Sequence, residues 1–264
     1  MADRSGAPLH WEQMGKQGTP MVLLHPNPMD SSCWLYQMAH LSTWFRTIAI
    51  DLPGYGRSPA PSPDLTLPDM ARLCWETIDA VTDETAILVG TSVGANLILY
   101  MARERPERTL ALVISGFGYD PAKAFSPRRV AMYREQGIGL RGEHIPQLFS
   151  AAFRETYLAR YLVQMVAERN GWTSGETIAG MFRISGQPDP EALFEAVQAP
   201  TLIITGSEDG AHRSAFALQE RIAGCELVTM EGTGHASNLE RPWEFNQHLL
   251  TFLARHGLFA GPLP

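Results

Sequence analysis

The 264-residue sequence contains no long run of basic residues. Its 28 aspartates and glutamates outnumber its 21 lysines and arginines, which gives a formal net charge of −7. The basic residues are scattered, and no run is longer than the pair Arg128 and Arg129. Because binding to a phosphate backbone requires a continuous basic surface, the sequence argues against a nucleic-acid partner.

Long hydrophobic runs are also missing. Apolar segments such as residues 86–89 and 110–114 are far shorter than the about 20 residues that a helix needs to cross a bilayer. The first six residues, Met-Ala-Asp-Arg-Ser-Gly, lack the apolar centre of a secretory signal peptide. We therefore expect a cytoplasmic protein with no membrane partner.

Cysteine is rare in this chain. Cys33, Cys74 and Cys225 are far apart and form no Cys-x-x-Cys pair, so the sequence predicts neither a disulfide framework nor a zinc site. All three thiols are expected to be small buried groups. The sequence predicts no metal and no organic cofactor.

What the sequence does contain is an alternation of short apolar runs with longer helix-like segments. Hydrophobic residues make up 45% of the chain and charged residues 19%, as in an ordinary globular protein. The apolar runs predict buried strands over residues 21–24, 47–50, 86–89, 110–114, 201–205 and 227–230. Residues 9–14 are expected to pair with residues 21–24 as a hairpin. The intervening segments predict helices over residues 67–81, 93–105, 211–223 and 242–256.

This alternation predicts an α/β fold, with a mostly parallel sheet and helices on both faces. The alternation breaks between about residues 117 and 187, where several helical segments follow one another. These segments are residues 127–136, 143–155, 157–169 and 174–184. We predict an α/β core over residues 1–117 and 188–264, and a helical cap over residues 118–187 inserted after the sixth core strand.

The sequence Gly90-Thr91-Ser92-Val93-Gly94 lies between a predicted strand and a predicted helix. A serine at such a strand–turn–helix junction is exposed above the sheet, and the flanking glycines let strand and helix approach closely. The helix N-terminus also faces the negative charge that forms when a carbonyl is attacked. Ser92 is therefore the predicted nucleophile.

A serine nucleophile needs a base, and the base needs a carboxylate to orient it. Of the 8 histidines, His235 is favoured because it follows the last predicted strand, at the edge where α/β sheets place functional groups. Asp209 follows the preceding strand and is the predicted acid, with Asp120 as the alternative. The chain order serine, aspartate, histidine is the one expected for a nucleophile at this kind of junction.

The oxyanion that forms during attack needs hydrogen-bond donors. We expect one from the backbone amide of Val93, which follows the nucleophile. The second is expected from the loop after the first apolar run, which reads His-Pro-Asn-Pro at residues 25–28. Since proline has no N–H, Asn27 is the predicted backbone donor of this loop, and its side-chain amide could add another.

Together these segments resemble the α/β-hydrolase superfamily, in particular its lid-bearing esterases, lactonases and carbon–carbon bond hydrolases. The resemblance covers nearly the whole chain and includes the His25 loop, the Ser92 elbow, Asp209, His235 and Glu-Arg-Pro-Trp-Glu-Phe-Asn at residues 240–246. It also includes residues 51–58, which in the family form a structural turn. The family usually has His-Gly where this chain has His25 and Pro26, a change that stiffens the oxyanion loop.

The His-x-Asn-Pro loop also resembles the halide-binding loop of haloalkane dehalogenases and of some epoxide hydrolases. Those enzymes use an aspartate nucleophile, whereas this chain has Ser92 at the corresponding position. We therefore reject both interpretations.

The resemblance implies acyl transfer to water through an acyl-serine, with His235 moving the proton and Asp209 orienting the imidazole. Aromatic and methionine residues in the cap favour a small, largely apolar carboxylic ester or lactone as the small-molecule substrate. One alternative is a carbon–carbon bond hydrolase of a dienoic ketoacid, in which Arg183 would bind the carboxylate. The others are a ligand receptor that retains the triad and a cofactor-free oxygenase or perhydrolase. The residues predicted to contact the substrate are His25, Trp34, Phe149, Phe153, Tyr157, Met181 and Arg183. No oligomeric state is predicted.

Overall fold

The computed structural model describes residues 6–118, 127–136, 141–169, 173–185 and 190–263. Its strands are β1 (Trp11–Met14), β2 (Pro20–Leu24), β3 (Arg46–Ile50), β4 (Ala86–Thr91), β5 (Thr109–Ser115), β6 (Thr201–Gly206) and β7 (Glu226–Met230). Each of the six apolar runs that predicted strands lies within one of β2 to β7, so these predictions are confirmed.

The strands form one seven-stranded sheet in the order β1-β3-β2-β4-β5-β6-β7. β1 runs antiparallel to β3, and the other neighbours are parallel. The prediction of an N-terminal hairpin with β2 was wrong, because β1 lies on the far side of β3, where Trp11 is opposite Ile50. β2 and β4 are neighbours in the sheet although β3 lies between them in sequence.

Helices cover both faces of this sheet. Along the described chain they are α1 (Leu35–Leu41), α2 (Leu67–Asp79), α3 (Val93–Glu104), α4 (Pro127–Gln136), α5 (Arg141–His144), α6 (Ala151–Arg154), α7 (Tyr157–Arg169), α8 (Gly175–Ser185), α9 (Pro190–Glu195), α10 (His212–Gln219), α11 (Ser237–Glu240) and α12 (Pro242–Arg255). Short 3-10 helices cover Ser31–Trp34, Pro106–Arg108 and Ile145–Leu148. None of these described helices is both long and apolar enough to cross a membrane.

Side chains alternate between two apolar layers along the central strands, as expected when both faces of a sheet are covered. In β2, Val22 and Leu24 pack in a layer with residues of α2 and α3. Met21 and Leu23 point to the other face and pack with residues of α1 and α12. This double burial explains why the strands read as continuous apolar runs.

The cap lies between β5 and β6, where the described chain contains α4 to α9. Among the described residues, β1 alone precedes the parallel strands. The predicted cap segment therefore follows the fifth strand that the structure describes, and not a sixth as predicted. Residues 143–155 do not form the single predicted helix. Pro146 lies in a 3-10 turn, and the Ser150 side chain caps a new helix by accepting the Phe153 N–H. The domain boundaries stay predictions, since residues 119–126 and 186–189 lie outside the described residues.

Candidate active site

The predicted site residues follow the carboxyl ends of neighbouring strands. Because β2 and β4 are adjacent, with Leu24 opposite Gly90, the loop that holds Asn27 lies beside the junction that holds Ser92. The next strand, β5, ends at Ser115, whose carbonyl accepts the Ser92 N–H at 2.9 Å. The chain crossover at β2 and β4 is the position where open α/β sheets form binding crevices.

Ser92 has a backbone conformation that side chains rarely adopt. Its φ is 57° and ψ is −115°, and among the described residues it is the only non-glycine with positive φ. It precedes α3, but its side chain does not cap the helix, so the hydroxyl is not used for the ordinary task of a serine at this position. A sharp turn that costs about 1–3 kcal/mol of backbone strain is typical of functional sites.

Two glycines make this turn possible. A Cβ on Gly90 would lie 2.3 Å from the Gly94 carbonyl oxygen, and a Cβ on Gly94 would lie 2.2 Å from the carbonyl oxygen of Leu24. Both obstacles are backbone atoms, which cannot rotate away. The glycines flanking Ser92 are therefore required by the close approach of α3 to β2 and β4, as the sequence predicted.

We expect Gly94→Ala to lower the free energy of unfolding by about 1–3 kcal/mol, because the added methyl overpacks a junction with no room for it. Urea unfolding followed by circular dichroism would measure this loss. Gly180 in α8 is the matched control, since a Cβ there meets nothing within 4 Å and alanine favours helix by about 0.5–1 kcal/mol. Equal stability of Gly94→Ala and Gly180→Ala would contradict the close approach.

The structure brings two of the predicted catalytic side chains into contact. The Nδ1 atom of His235 lies 2.9 Å from Oδ1 of Asp209, although 26 positions separate them. The same oxygen accepts the Ala211 backbone N–H at 2.8 Å, so the carboxylate is held from two sides. A proton on Nδ1 leaves Nε2 as the nitrogen that can accept a proton from a nucleophile. The alternative acid, Asp120, lies outside the described residues.

The Asp209 carboxylate is buried and depends on its partners to stay charged. Burial raises its pKa, but the charge and hydrogen bond of His235, together with the Ala211 amide, outweigh that effect and hold the pKa below its ordinary value. Oδ2 is buried and has no hydrogen-bond partner in the described part of the chain. The contact therefore acts in both directions: His235 stabilises the charged carboxylate, and the carboxylate orients the His235 ring.

The imidazole of His235 lies over the end of β5. A Cβ on Gly116 would come within 2.9 Å of its Cε1 atom and 3.0 Å of its Nδ1 atom. Gly116 directly follows Ser115, whose carbonyl binds the backbone of Ser92. The absence of a side chain at Gly116 thus lets the histidine reach back from β7, over β6, toward the strand that carries the serine.

The loop after β2 makes a tight turn in front of Ser92. The Asn27–Pro28 peptide bond is cis, and the Met29 N–H donates to the Pro26 carbonyl at 2.9 Å. Within the described chain, the backbone amides of Asn27 and Val93 have no protein acceptor. Both are therefore free to donate, and their role as oxyanion donors stays a prediction.

The side chains of this loop hold it in place. Asn27 Oδ1 accepts the Tyr55 hydroxyl at 2.5 Å, and Nδ2 donates to the Ile178 carbonyl of the cap at 3.2 Å. The His25 ring is fully buried, with Nε2 accepting the Leu52 N–H at 2.9 Å and Nδ1 lying 3.0 Å from the Pro26 carbonyl. Burial lowers the pKa of His25, which keeps the ring neutral. Both ring nitrogens have partners within the protein, so His25 supports the loop, and its predicted contact with substrate stays a prediction.

The predicted substrate contacts in the apolar layers are divided between two clusters. Trp34 and Phe149 are buried in the layer that also holds the partly buried Phe153, whose ring centroid lies 5.1 Å from that of Phe149. Met181 is buried in the other layer. These four side chains are apolar and enclosed, and their role toward a substrate stays a prediction.

Two other predicted contacts lie on the surface. Tyr157 is 87% exposed, because α7 buries Ala159, Leu162 and Val166 on the opposite face. Arg183 is exposed, and its guanidinium donates to the Pro63 carbonyl at 3.2 Å. Their positions give no support to the predicted contacts with the substrate, which stay predictions.

Glu240, for which no role was predicted, is buried next to the histidine loop. Its Oε1 atom accepts the N–H groups of Gly234 at 2.8 Å and Ser150 at 2.9 Å, and Oε2 accepts the Ser150 hydroxyl at 2.6 Å. Burial raises the pKa of this carboxyl despite these hydrogen bonds, and the charge of Glu208 acts in the same direction. No local pattern in the sequence marks this residue, since Ser150 is 90 positions away.

The raised pKa predicts a pH-dependent stability. Between the ordinary value of 4.5 and the raised value, the native state binds more protons than the unfolded state, so wild type loses stability as pH rises. Glu240→Gln removes that titration and keeps an acceptor oxygen. We expect the Tm of Glu240→Gln minus that of wild type to increase from about pH 4 to about pH 7. Glu244→Gln on α12 reports the general effect of removing one charge, and a pH-independent difference for Glu240→Gln would contradict the raised pKa.

An open cleft of about 600 Å³ lies at the amino ends of the parallel strands, opposite the ends that precede Ser92, Asp209 and His235. Its lining comes from the β1–β2 loop, the α1–β3 loop and residues 258–261. These segments adjoin the amino ends of the parallel strands. None of the predicted site residues lines this cleft. Ser92, Asp209 and His235 instead follow the carboxyl ends of β4, β6 and β7, where we place the candidate site.

Comparisons with known proteins support the fold and identify the family of this chain. The chain is 25% identical over 258 residues to carboxylesterase YbfK of Bacillus subtilis, covering 90% of this chain and 81% of that protein. It is 26% identical over 262 residues to the 2-hydroxymuconate semialdehyde hydrolase of a Pseudomonas species, covering 90% and 87%. The solved structure of an enol-lactonase from Burkholderia xenovorans has the same fold, with a TM-score of 0.84, 24% identity, and coverage of 93% and 96%. A sequence model of the alpha/beta hydrolase family matches residues 21–246, and this chain belongs to that family.

Proposed function

We propose that this hydrolase cleaves a small, largely apolar carboxylic ester or lactone through an acyl-serine on Ser92. The observation that carries the proposal is the 2.9 Å contact between Asp209 and His235, with the imidazole over Gly116 beside the strained turn of Ser92. A nucleophile at a helix N-terminus, a base and an orienting carboxylate are the parts that acyl transfer needs.

The proposed reaction has two halves. The Ser92 hydroxyl oxygen attacks the carbonyl carbon while His235 Nε2 accepts its proton, and the same proton then passes to the leaving alcohol. A water molecule, deprotonated by His235, next attacks the acyl-serine carbonyl. The bond from that carbon to the Ser92 oxygen then breaks, His235 returns the proton to that oxygen, and the carboxylic acid is released. Asp209 stays ionised in both halves and stabilises the imidazolium that forms.

The tetrahedral oxyanion would accept hydrogen bonds from the backbone amides of Asn27 and Val93. Both amides lack a protein acceptor in the described chain. The Asn27 side chain, held by Tyr55 and Ile178, limits movement of the loop, so the donors need little reorganisation when charge develops. The positive end of the α3 dipole favours the same charge.

The proposed substrate class rests on the apolar side chains that we predict to contact the ligand. Trp34, Phe149 and Met181 are buried and apolar, which suits an uncharged acyl or alcohol group. A carbon–carbon bond hydrolase of a dienoic ketoacid is the second candidate because one relative is a 2-hydroxymuconate semialdehyde hydrolase. The exposure of Arg183 and its hydrogen bond to the Pro63 carbonyl give no support to the cation that we predicted for such a substrate, which favours the ester or lactone.

A substrate panel tests this choice. Wild-type protein is assayed with p-nitrophenyl esters of increasing acyl length, γ- and δ-lactones, and 2-hydroxymuconate semialdehyde. We expect turnover of short esters or lactones, and the same turnover in Arg183→Ala. Activity confined to the ring-cleavage product would overturn the ester proposal in favour of the second candidate.

A further inference from the structure

The cap main chain is attached to the loop that carries His235. The Leu148 carbonyl accepts the Ala236 N–H at 2.9 Å, and Glu240 joins Gly234 to Ser150 as described above. The residues immediately before and after His235 are therefore both bound to residues 148–150 of the cap, either directly or through Glu240.

Gly234 shows how closely the two segments approach. A Cβ at this position would lie 2.7 Å from the Phe149 carbonyl carbon, 2.7 Å from the Ser150 nitrogen and 2.8 Å from the Leu148 oxygen. All three atoms belong to the backbone. The backbone of the histidine loop thus packs directly against the backbone of the cap. Glu240 is the side chain that accepts hydrogen bonds from N–H groups of both segments.

We propose that Glu240 is a positioning residue that sets the location of His235 by locking residues 148–150 of the cap against the histidine loop. This inference rests on the proposed function. Asp209 orients the imidazole through Nδ1, but it does not hold the backbone that carries the ring. Glu240 holds that backbone, so its loss should shift His235 relative to Ser92 while leaving the contact with Asp209 available.

A second glutamate separates this role from cap docking in general. The Glu208 Oε2 atom accepts the Ala151 N–H at 3.0 Å, one residue beyond Ser150. This side chain ties the cap to the core without a hydrogen bond to Gly234 or Ala236. Glu208→Ala is therefore a matched control that weakens cap attachment and spares the histidine loop.

The test measures kcat and KM with a p-nitrophenyl ester that wild type hydrolyses, normalised to sites titrated by a p-nitrophenyl phosphonate. For Glu240→Ala we expect kcat per titrated site to fall about 10–100-fold with KM changed less than about 3-fold, since a small misplacement of a catalytic group is costly. Glu240→Gln keeps an acceptor for both N–H groups, and its kcat should return to within about 3-fold of wild type. Glu208→Ala should keep kcat within about 3-fold of wild type.

Ser150→Ala keeps the test decisive if Glu240→Ala does not fold. It removes the hydroxyl bond to Oε2 and the side-chain cap on the Phe153 N–H, while the Ser150 backbone N–H can still bind Oε1. We expect a fall in kcat of about 3–10-fold. Any one of four results would overturn the positioning role. Two of them are an unchanged kcat in folded Glu240→Ala or Ser150→Ala, and an effect on KM alone. The other two are an equal loss of kcat in Glu208→Ala, and no recovery of kcat in Glu240→Gln. Ester turnover that survives Ser92→Ala would instead overturn the proposed function, so the two failures are distinguishable.

Discussion

Replacing Ser92 by alanine should lower kcat for a short p-nitrophenyl ester by about 10⁴-fold or more, because the proposed acyl intermediate forms on the Ser92 oxygen. Ser92 makes no side-chain capping bond to α3, so the variant should fold, and thermal unfolding checks this. The residual rate would come from binding and the oxyanion donors alone.

Ser42→Ala provides the matched control for that substitution. Ser42 lines the cleft at the amino ends of the parallel strands. Among the described residues, its hydroxyl hydrogen-bonds only to the Ala39 carbonyl. Wild-type kcat is expected for this variant. A folded Ser92→Ala protein with the same kcat as Ser42→Ala would remove the serine mechanism altogether.

Asp209→Asn should have the second-largest effect, a loss in kcat of about 10³–10⁴-fold with little change in KM. Asp209 Oδ1 accepts hydrogen bonds from His235 and from the Ala211 backbone. An asparagine amide placed toward the ring would donate instead, and would favour the tautomer that cannot accept a proton from the serine. Steady-state kinetics on the ester used for Ser92→Ala would measure the effect.

Asp120→Asn decides between the two aspartates that the sequence offered. We expect this variant to lose little activity, because the Asp209 contact with His235 is already made. The reverse order, with Asp120→Asn the more damaging change, would assign the acid to the loop after β5.

The sheet and the triad candidates could be predicted because their signals are local. Strands buried on both faces leave continuous apolar runs, and the turn at Ser92 requires glycine at positions 90 and 94. Asp209 and His235 each follow a strand directly. In a parallel sheet these ends share one edge, so chain order alone predicts that the residues converge.

Which cap side chains point inward was harder to predict, because this depends on which face of each helix meets the core. Aromatic content suggested Tyr157 as a substrate contact, yet α7 buries Ala159, Leu162 and Val166. That spacing of three and four residues was visible in the sequence and places Tyr157 on the outer face. For Arg183 no comparable signal exists, since its partner is a backbone carbonyl 120 positions away.

The link between cap and histidine loop could not be read from the sequence at all. Glu240 binds Gly234, which is near in sequence, and Ser150, which is not. Its position within residues 240–246 was noticed only as part of a family resemblance. A buried carboxylate that binds backbone groups leaves no periodic pattern, so only the three-dimensional arrangement identifies it.

The central claim is that Ser92 forms a covalent bond to the substrate carbonyl. Incubating wild type with a p-nitrophenyl alkylphosphonate, and then sequencing its peptides by mass spectrometry, tests that claim directly. We expect release of one equivalent of p-nitrophenol per chain, loss of ester hydrolysis, and a single phosphonyl adduct on Ser92. Full inactivation with the adduct on another residue, or continued ester hydrolysis by protein fully modified at Ser92, would contradict it.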